Sequence, residues 1–588
     1  MLAGVACVTS LPLKGQGSFM HERSARWGTN LEDEVTAVAL AEDGSMAVCG
    51  RFTNTMDLNP GNGEVLVTST PSGVKDVFIV KLNADGSFAW GFRLGNLLSS
   101  EIVGGCAFTA DGNLLVACSF KGEVDIDPGP GEILSVAVAN HTAVLKLNGA
   151  SGALLDHFII TSPVSFFASE HTTLSLKTAP DGGFAIHGIF GDNIDLDPSA
   201  GTTTVNSKGA FDAFVARYSA DMNFQWGFGL GGTGNFTDEV NRMRFGPDGS
   251  LYIGCSINTG ADFDPGPGQQ ILPNVGSGED GFVARYNPDG TFAWVARFVD
   301  PVSGNHIQGL EVANNEVLVL NHYNTSVDAD PGSGTLTLTP VSGTSGTMVA
   351  KLSAASGALV SATQFDRSIQ ACTGGNLENS RESIAMVGDD HFVFVGELRP
   401  GTYDLIIGPG AFNLQPNSGA LNFFVARYAW SDLSLSSAMR IGGTESDLPQ
   451  GVASNTAGQF LVGGIFKSTS MNVNPQSATV NLTNAGGAGT SDAFCVRYAY
   501  SAINSGVGDA SRPIDIRCYP NPMNEALMVT GTSSGQVRVE LLDMTGRVLL
   551  DGIGSLPLEM NVGNLSPGLY QLRSISAKGV NVVTVAKK

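Results

Sequence analysis

The sequence predicts an all-β protein made of seven copies of one four-stranded unit, followed by a separate C-terminal β-domain. The first observation is a strand of the type Phe-Val-Ala-Arg-Tyr, which recurs with a basic residue before an aromatic residue or leucine. The second is an Asp-x-Asp-Pro segment that keeps the same phase, and the third is a hairpin turn that precedes it. A repeat of this length without helical periodicity is typical of β-repeat architectures.

The basic residue of the recurring strand sets the number of units, because successive copies are 65 to 76 residues apart. The seven positions are Lys81, Lys146, Arg217, Arg285, Lys351, Arg427 and Arg497. Alternation along a strand places Arg217 on the face opposite to Phe214. We expect these residues to form ion pairs with carboxylates of neighbouring units rather than a binding ring. Candidate partners lie five residues earlier, at Asp76, Asp212, Asp280 and Asp492.

The Asp-x-Asp-Pro segments allow two interpretations. Their carboxylates are candidate calcium ligands at Asp125, Asp127, Asp195, Asp197, Asp262, Asp264, Asp328 and Asp330. Calcium takes about six to eight oxygen ligands, and each loop offers two carboxylates plus carbonyls. The seventh unit has Asn472 and Asn474 instead, which lowers the charge. The interpretation we favour is an Asx-turn, in which the carboxylate accepts backbone N–H groups and proline fixes the next φ.

One unit shows the order of elements. The second unit predicts strands at 103–109 and 114–120 around the Asp111-Gly112 turn, an extended piece at 132–138, and strands at 143–147 and 154–160. Asp-Gly between apolar runs is a strong hairpin signal, because glycine accepts the positive φ of the turn. The same turn is predicted at Asp43-Gly44, Asp181-Gly182, Asp248-Gly249, Asn314-Asn315, Asp389-Asp390 and Ala457-Gly458.

Closure of the repeat is predicted from tryptophan. Trp90, Trp226 and Trp294 lie in the fourth strand of their units, whereas the seventh unit ends near Tyr500 without such a strand. Trp27 stands alone before the first unit, so residues 22–28 are predicted to supply the outer strand of the seventh unit. Such a strand would leave no sheet edge exposed.

These features resemble the seven-bladed β-propeller repeats that are written with an Asp-Phe-Asp-Pro-Gly core, over about four-fifths of the chain. The resemblance implies an all-β, seven-bladed β-propeller over residues 19–502, closed by an N-terminal strand. The sixth unit departs most from the pattern, with an insertion at 399–413. The family is defined by architecture, so it implies little about chemistry.

The last part of the chain has its own signature. Tyr519-Pro520-Asn521-Pro522, an Asp543-x-x-Gly-Arg547 turn, Gly568-Leu569-Tyr570 and a basic end follow in order. In this order they resemble the C-terminal sorting domain of type IX secretion substrates, here a small β-sandwich over 513–588 after a linker at 503–512. The resemblance implies that the secretion machinery is a partner and that the protein is secreted or attached to the outer-membrane surface. Residues 1–18, which resemble the apolar part of a signal peptide, agree with export.

Composition and motifs narrow the range of possible functions. A formal net charge of −23 opposes binding to nucleic acid, and no apolar run is long enough for a transmembrane helix. Neither a Cys-x-x-Cys nor a His-x-x-x-His metal pair occurs. His157, His171 and His187 form only a loose cluster. Cys49, Cys118 and Cys255 share one strand position, and a Cys106–Cys118 disulfide is a minor alternative to free thiols.

Three hypotheses about function remain open. The first is a surface binding or adhesion protein for a glycan or a protein, without a catalytic site or a cofactor other than calcium. The second is an extracellular hydrolase or lyase acting on polysaccharide from the channel of the propeller. The third is a structural component of a surface layer.

Overall fold

The computed structural model describes residues 18–70, 74–96, 101–129, 131–161, 173–234, 237–258, 260–273, 278–302, 304–370, 381–407, 410–417, 420–487, 489–501, 516–531, 536–543, 547–576 and 579–588. Over these residues the protein is all-β and contains no helix. They fall into two compact units, one within Ser18–Ser501 and the other within Ala502–Lys588. The predicted signal segment up to residue 17 and the predicted linker at 503–512 lie outside the described residues.

The described part of the large unit contains seven four-stranded antiparallel sheets, numbered here in chain order. Strand β1 (Ser18–Trp27) comes first in the chain. The first sheet has β2 (Glu34–Leu40), β3 (Met46–Phe52), β6 (Asp76–Leu82) and β7 (Phe88–Leu94). The second has β8 (Ile102–Phe108), β9 (Leu114–Asp125), β10 (Leu134–Leu147) and β11 (Leu154–Thr161). The third has β12 (Thr173–Thr178), β13 (Phe184–Phe190), β16 (Asp212–Tyr218) and β17 (Phe224–Leu230). The fourth has β18 (Glu239–Phe245), β19 (Leu251–Ile257), β22 (Asp280–Tyr286) and β23 (Phe292–Phe298).

The remaining sheets keep the same order. The fifth has β24 (Asn305–Ala313), β25 (Glu316–Tyr323), β28 (Gly346–Ser353) and β29 (Leu359–Gln364). The sixth has β30 (Ile384–Met386), β31 (His391–Leu398), β34 (Asn422–Ala429) and β35 (Leu435–Ile441). The seventh has β36 (Asp447–Ser454), β37 (Gln459–Phe466) and β40 (Asp492–Ser501), and β1 is its fourth strand.

A short hairpin extends from each sheet between its second and third strands. The separate hairpins are β4 (Thr55–Asp57) with β5 (Leu66–Thr68), β14 (Asn193–Asp195) with β15 (Thr204–Asn206), β20 (Ala261–Asp262) with β21 (Ile271–Leu272), β26 (Val327–Asp328) with β27 (Thr337–Leu338), β32 (Tyr403–Asp404) with β33 (Asn413–Leu414), and β38 (Ser470–Asn472) with β39 (Asn481–Thr483). In the second sheet the hairpin is continuous with β9 and β10. The Asp-x-Asp-Pro segments therefore form the tips of these hairpins.

The turns between first and second strands lie where the sequence predicts them. Glycine has a positive φ at the second position of the turn in the first four sheets, for example +85° at Gly44 and +84° at Gly182. In the fifth sheet Asn314 and Asn315 take this conformation. In the sixth sheet the positive φ is at Gly388, one residue before the predicted Asp389-Asp390 turn. The positive φ thus falls on glycine or asparagine, the residues that adopt this backbone conformation most readily.

The seven sheets pack in succession. The first strand of each sheet contacts the first strand of the next, and β36 of the seventh sheet contacts β2 of the first. A cluster of buried apolar side chains lies between every pair of consecutive sheets, including the seventh and the first. Each sheet therefore buries both faces, which explains why its central strands are apolar with little alternation.

Strand β1 completes the seventh sheet, as the isolated Trp27 predicts. It pairs with β40 from Ser18 opposite Ser501 to Trp27 opposite Ala493. Trp27 does not take the register position of Trp226, because Trp226 lies opposite Arg217 and the residue opposite Arg497 is Arg23. Trp27 instead takes the buried position of Leu230, which lies opposite Ala213. Its indole N–H donates to the Leu58 carbonyl of the first sheet at 2.9 Å.

The C-terminal unit is a small pair of sheets. One sheet has β41 (Ile516–Tyr519), β42 (Ala526–Gly531) and β45 (Leu558–Asn561). The other has β44 (Val548–Ser555), β43 (Gln536–Leu542), β46 (Gly568–Ser576) and β47 (Gly579–Lys587). Buried residues of both sheets, such as Val529 and Val539, share one apolar core. The middle of the predicted Asp-x-x-Gly-Arg turn lies outside the described residues, although the Arg547 amide donates to Asp543.

Candidate functional site

Charged side chains, most of them on or beside the first strands of the large unit, form two groups of ion pairs, one around Glu34 and one around Glu382, here together called the central charge cluster. It consists of Glu34, Arg51, Lys75, Lys177, Arg244, Glu311, Arg381 and Glu382. Arg244 on β18 lies 2.5 Å from Glu382 and 3.2 Å from Glu311. Lys177 on β12 of the third sheet lies 2.9 Å from Glu382, which directly precedes β30 of the sixth sheet. Side chains from sheets far apart in the chain thus form ion pairs with each other.

The cations of this cluster keep its carboxylates ionised. Burial raises the pKa of Glu34, but Arg51, Lys75 and Arg381 together lower it to about 2. Burial likewise opposes ionisation of Glu382, yet Arg244, Lys177 and Arg242 hold its pKa well below the usual range. An ionised, ion-paired carboxylate is a poor general acid near neutral pH, because efficient proton transfer needs a pKa near the working pH.

A second set of buried acids, here called the connection carboxylates, lies at the start of first strands and consists of Asp33, Asp238 and Asp447. Asp33 accepts the Thr29 amide at 2.6 Å and the Thr53 amide at 3.1 Å. Asp238 and Asp447 accept amides in the same pattern. Each carboxylate ties the connection from the preceding sheet to the end of its own second strand. Burial raises the pKa of Asp33 to about 7 and that of Asp238 to about 6.

Four of the seven basic positions form ion pairs, with other partners than predicted and within their own sheet rather than with a neighbouring one. Arg217 lies 2.5 Å from Asp181 and Arg285 lies 2.8 Å from Asp248, both in the hairpin turn of the same sheet. Lys351 pairs with Glu316 at 3.0 Å. The predicted partners contact other groups: Asp76 pairs with Arg93, Asp492 with Arg26, and Asp212 accepts the Lys208 amide. The prediction of partners five residues earlier is therefore wrong, because those aspartates start the third strand and the basic residues end it.

The remaining basic residues reach the next sheet or an aromatic ring. Arg497 pairs with Glu22 at 2.9 Å and donates to Gly44 of the first sheet. Lys146 donates to the Ala220 carbonyl of the third sheet at 3.0 Å. The Arg427 guanidinium lies 3.9 Å from the centre of the Tyr500 ring. Together with Arg217, which also donates to Gly249 of the fourth sheet, these contacts join neighbouring sheets.

The Asp-x-Asp-Pro carboxylates organise their own loops. Asp125 accepts the amides of Asp127 at 3.1 Å and Ile133 at 2.9 Å through one oxygen. Asp195, Asp262 and Asp328 accept the equivalent pair of amides. Asp127, Asp197, Asp264 and Asp330 each accept the amide two residues on. Asn472 in the seventh sheet makes the same two bonds with an amide oxygen. Among the described residues, no group of three His, Cys, Asp or Glu side chains is placed to hold a metal ion.

The other residues singled out by the sequence are dispersed. Cys106 and Cys118 are free thiols, so the alternative of a disulfide between them is wrong. Cys49, Cys118 and Cys255 are buried in apolar cores, as expected of their shared strand position. His157 lies on β11 and His187 on β13, where burial lowers the pKa of His187 to about 3. His171 lies outside the described residues.

A cavity of about 580 Å³ opens at the hairpin turns of the first three sheets, and is here called the turn-end cavity. Its lining includes the acids Glu42, Asp43 and Asp111, the base Lys81 and the ring of Phe108. Residues with hydroxyl groups, among them Ser45 and Thr109, and apolar residues such as Leu40 also line it. The cavity therefore offers hydrogen-bond donors, acceptors and one aromatic surface, which is the usual make-up of a ligand site.

Sequence reasoning missed the central charge cluster and the turn-end cavity. Lys177 and Arg244 each precede the aspartate of a hairpin turn by four residues. This shared position of two basic residues in the repeat was the signal in the sequence that could have indicated the cluster. The partners of these residues come from sheets that the sequence cannot align in space. The cavity depends on the positions of three turns relative to one another, and no sequence pattern indicates that arrangement.

Comparison with known proteins identifies the C-terminal unit. Residues 517–587 match the family model of the secretion system C-terminal sorting domain. The chain is similar to the regulatory protein FlaEY of Caulobacter vibrioides, with 23% identity over 443 residues; the match covers 72% of this chain and 41% of that protein. The chain thus spans well under half the length of that relative.

A solved structure also matches over most of the chain. It is the extracellular domain of the hybrid two component system BT3049 from B. thetaiotaomicron, at 10% identity and a TM-score of 0.16, covering 94% of this chain and 97% of that one. A TM-score this low carries no argument about fold or function.

The localisation of the protein follows from the C-terminal unit. The matched family covers the residues that carry the four motifs, and it implies recognition by the type IX secretion machinery. Helices of membrane-spanning length and hydropathy are absent from the described part of the chain. The protein is therefore secreted or attached to the outer-membrane surface, and its last residues, 517–587, form a secretion system C-terminal sorting domain.

Proposed function

We propose that residues 19–502 form a closed seven-bladed β-propeller, joined by a linker at 503–512 to a sorting β-sandwich at 513–588. Support comes from the seven consecutive four-stranded sheets, from the apolar core between the seventh sheet and the first, and from β1 as the last strand of the seventh sheet. Electron microscopy of the full chain should give axial views with seven spokes around a centre. An open arc, or another number of spokes, would overturn the proposal.

The propeller acts, in this proposal, as a surface binding module for a glycan or a protein. The observation that carries it is the turn-end cavity, where three hairpin turns present donors, acceptors and Phe108 to solvent. Rigid sheets hold these turns in place, so the site is formed before a ligand arrives and little ordering entropy opposes binding.

The alternative is a hydrolase or lyase that works from the channel, and the central charge cluster does not supply the general acid that hydrolysis needs. Polysaccharide hydrolysis uses two carboxyl groups, one of which holds a proton near the working pH. Glu34 and Glu382 are instead held ionised by Arg51, Arg244 and Lys177.

Binding and turnover can be measured on the same preparation. The secreted full chain should bind at least one member of an array of glycans and extracellular proteins and release no product from the polysaccharides it binds. Turnover by the wild-type chain that Glu382→Gln abolishes would overturn the binding proposal in favour of hydrolysis or elimination. Absence of binding to every member of the array would overturn it as well.

The sorting role has a separate test. Removal of residues 513–588 should leave the protein in the periplasm, because the secretion machinery then has no signal to recognise. Fractionation followed by immunoblotting measures the change, and a variant with Arg538→Met alone serves as a control for a mild change in the same unit. Unchanged export of the truncated chain would contradict this role.

A further inference from the structure

Lys81 differs from its equivalents in the other six sheets. It is 9% exposed, and its ammonium has no hydrogen-bond or ion-pair partner among the described residues. The Lys81 Nζ atom is not among the buried polar atoms that lack a partner, so it stays open to the cavity that Lys81 lines. A group in the cavity can therefore accept its hydrogen bonds.

The equivalents show what Lys81 lacks. Arg217, Arg285, Lys351 and Arg497 each pair with a carboxylate, Lys146 donates to a carbonyl of the next sheet, and Arg427 lies over an aromatic ring. The carboxylate that corresponds to Asp181 and Asp248 in the first sheet is Asp43. Asp43 accepts the amide of Ser45 at 2.8 Å and the hydroxyl of Ser45 at 3.1 Å, as Asp248 does from Ser250, but it forms no ion pair with Lys81. Lys81 instead lines the turn-end cavity.

The acids of the cavity are already engaged by the turns. Glu42 accepts the amide of Thr456 at 3.1 Å and also its hydroxyl. Asp111 accepts the Asn113 amide group at 2.8 Å and the Thr109 hydroxyl. These carboxylates are thus fixed in position, and each still has lone pairs that can accept from a ligand.

The charge balance of the cavity selects among ligands. The carboxylates of Glu42, Asp43 and Asp111 stand against the single ammonium of Lys81. An anionic ligand would gain one attraction and meet three repulsions. A neutral polyol meets no such repulsion, since its hydroxyl groups accept from Lys81 and donate to the carboxylates, while its apolar face can lie on Phe108.

We propose that the turn-end cavity is a binding site for a neutral saccharide, in which the Lys81 ammonium donates to sugar hydroxyl oxygens and Phe108 contacts the sugar ring. This inference rests on the proposed binding function and names its ligand class. It makes Lys81 a contact residue rather than a structural one, in contrast to Arg285 at the same strand position of the fourth sheet.

Titration calorimetry on the full chain tests the inference. The probes are cellohexaose, mannohexaose, xylohexaose and maltohexaose as neutral saccharides, and hexagalacturonate as the anionic one. At least one neutral probe should bind. Lys81→Met and Phe108→Ala should each weaken that binding by at least about tenfold, the effect expected when a contact to a charged donor or an aromatic surface is removed. Arg285→Met, which is not among the residues that line the cavity, should leave binding unchanged.

Thermal stability is a second measurement. A structural role for Lys81 predicts that Lys81→Met loses stability, whereas the proposed contact with a ligand does not. The Lys81→Met variant should unfold at a temperature no lower than the wild type, because its ammonium has no partner to lose. Arg285→Met should unfold at a lower temperature, because it leaves Asp248 without its partner. A clear loss of stability in Lys81→Met would contradict the inference.

The outcomes separate this inference from the function it rests on. Neutral-saccharide binding that survives Lys81→Met, or tighter binding of hexagalacturonate, overturns the inference and leaves a binding function standing. Binding of a protein on the array, without any of the oligosaccharides, has the same consequence. Absence of all binding by the wild type overturns both.

Discussion

Asp33 and Glu34 are neighbours in the sequence, yet they belong to two regions that shift the pKa of a buried carboxyl group in opposite directions. Asp33 is a connection carboxylate whose partners are backbone amides, and burial raises its pKa to about 7. Glu34 belongs to the central charge cluster, where Arg51, Lys75 and Arg381 outweigh burial and lower its pKa to about 2. The comparison teaches that burial alone disfavours the ionised form and that nearby cations reverse the outcome.

The strand geometry explains why adjacent residues differ so much. Successive side chains of a strand point to opposite sides, so Glu34 at the start of β2 faces the cations while Asp33 faces the connection from the preceding sheet. The two regions should therefore respond differently to substitution and to pH. Every tryptophan of the chain lies within Ser18–Ser501, so tryptophan fluorescence follows the unfolding of the large unit alone.

The largest effect is expected at the central charge cluster. Arg244→Met should lower the free energy of unfolding of the large unit by about 3–5 kcal/mol, because Glu382 and Glu311 lose a buried partner. Urea unfolding followed by tryptophan fluorescence measures this. Lys467→Met, which removes an exposed pair with Glu32, should cost less than about 1 kcal/mol. Equal effects of the two substitutions would contradict the importance of burial.

The pH dependence at Asp33 should be nearly as large. Its folded pKa of about 7 lies above the ordinary 3.8, so the folded state binds the proton more tightly than the unfolded state. Stability from this group is present below pH 4 and is lost as the pH rises to about 7, by about 4 kcal/mol. The stability difference between the wild type and Asp33→Asn should therefore fall over this window. A difference that stays constant would show that burial does not perturb Asp33.

Glu34 should show the opposite sign over a lower window. Its folded pKa of about 2 lies below the ordinary 4.5, so its contribution is present above pH 4.5 and is lost as the pH falls to about 2. The stability difference between the wild type and Glu34→Gln should decrease by about 3 kcal/mol on acidification. The exposed Glu64→Gln is the matched control, for which a small and nearly flat difference is expected. The same sign for Glu34 and Asp33 would contradict the comparison.

The smallest effect is expected at the hairpin tips, where an acid works through hydrogen bonds. Asp125→Ala removes two amide contacts and should cost about 1–2 kcal/mol. Asp125→Asn should cost less, because Asn472 makes the same contacts in the seventh sheet. Millimolar Ca²⁺ should leave the Tm of the wild type unchanged. A rise in Tm with Ca²⁺ that Asp125→Asn abolishes would support the calcium interpretation of these loops instead.

The sequence was a good guide to the strands and a poor guide to the partners of charged residues. Strand order and the hairpin turns depend on local patterns that recur in every unit, and the pairing of β1 with β40 follows from the one strand that the seventh unit lacks. The partner of Arg217 depends on the side of the strand from which the side chain leaves, and Asp181 and Asp212 were equally good candidates on spacing alone. The ion pair of Lys177 with Glu382 joins the third sheet to the sixth, and no local pattern contains that information.

The candidate site was even less accessible to prediction. Lys81 looks like six other residues in the sequence. Asp43 makes the same contacts with Ser45 that Asp248 makes with Ser250, yet only Asp248 also pairs with the basic residue of its sheet. That difference depends on where the basic side chain lies, which no local pattern in the sequence contains.

The pairing of Ser18 with Ser501 has a consequence for connectivity. Because β1 and β40 run antiparallel and these two residues lie opposite each other, a two-residue loop could join position 501 to position 18. The strand could then be moved from the beginning of the large unit to its end, as a circular permutant with new termini between Trp27 and β2. In the natural order, β1 pairs with a strand more than 450 residues away in the chain. We therefore expect the seventh sheet to be completed late in folding, because contacts between distant residues form slowly.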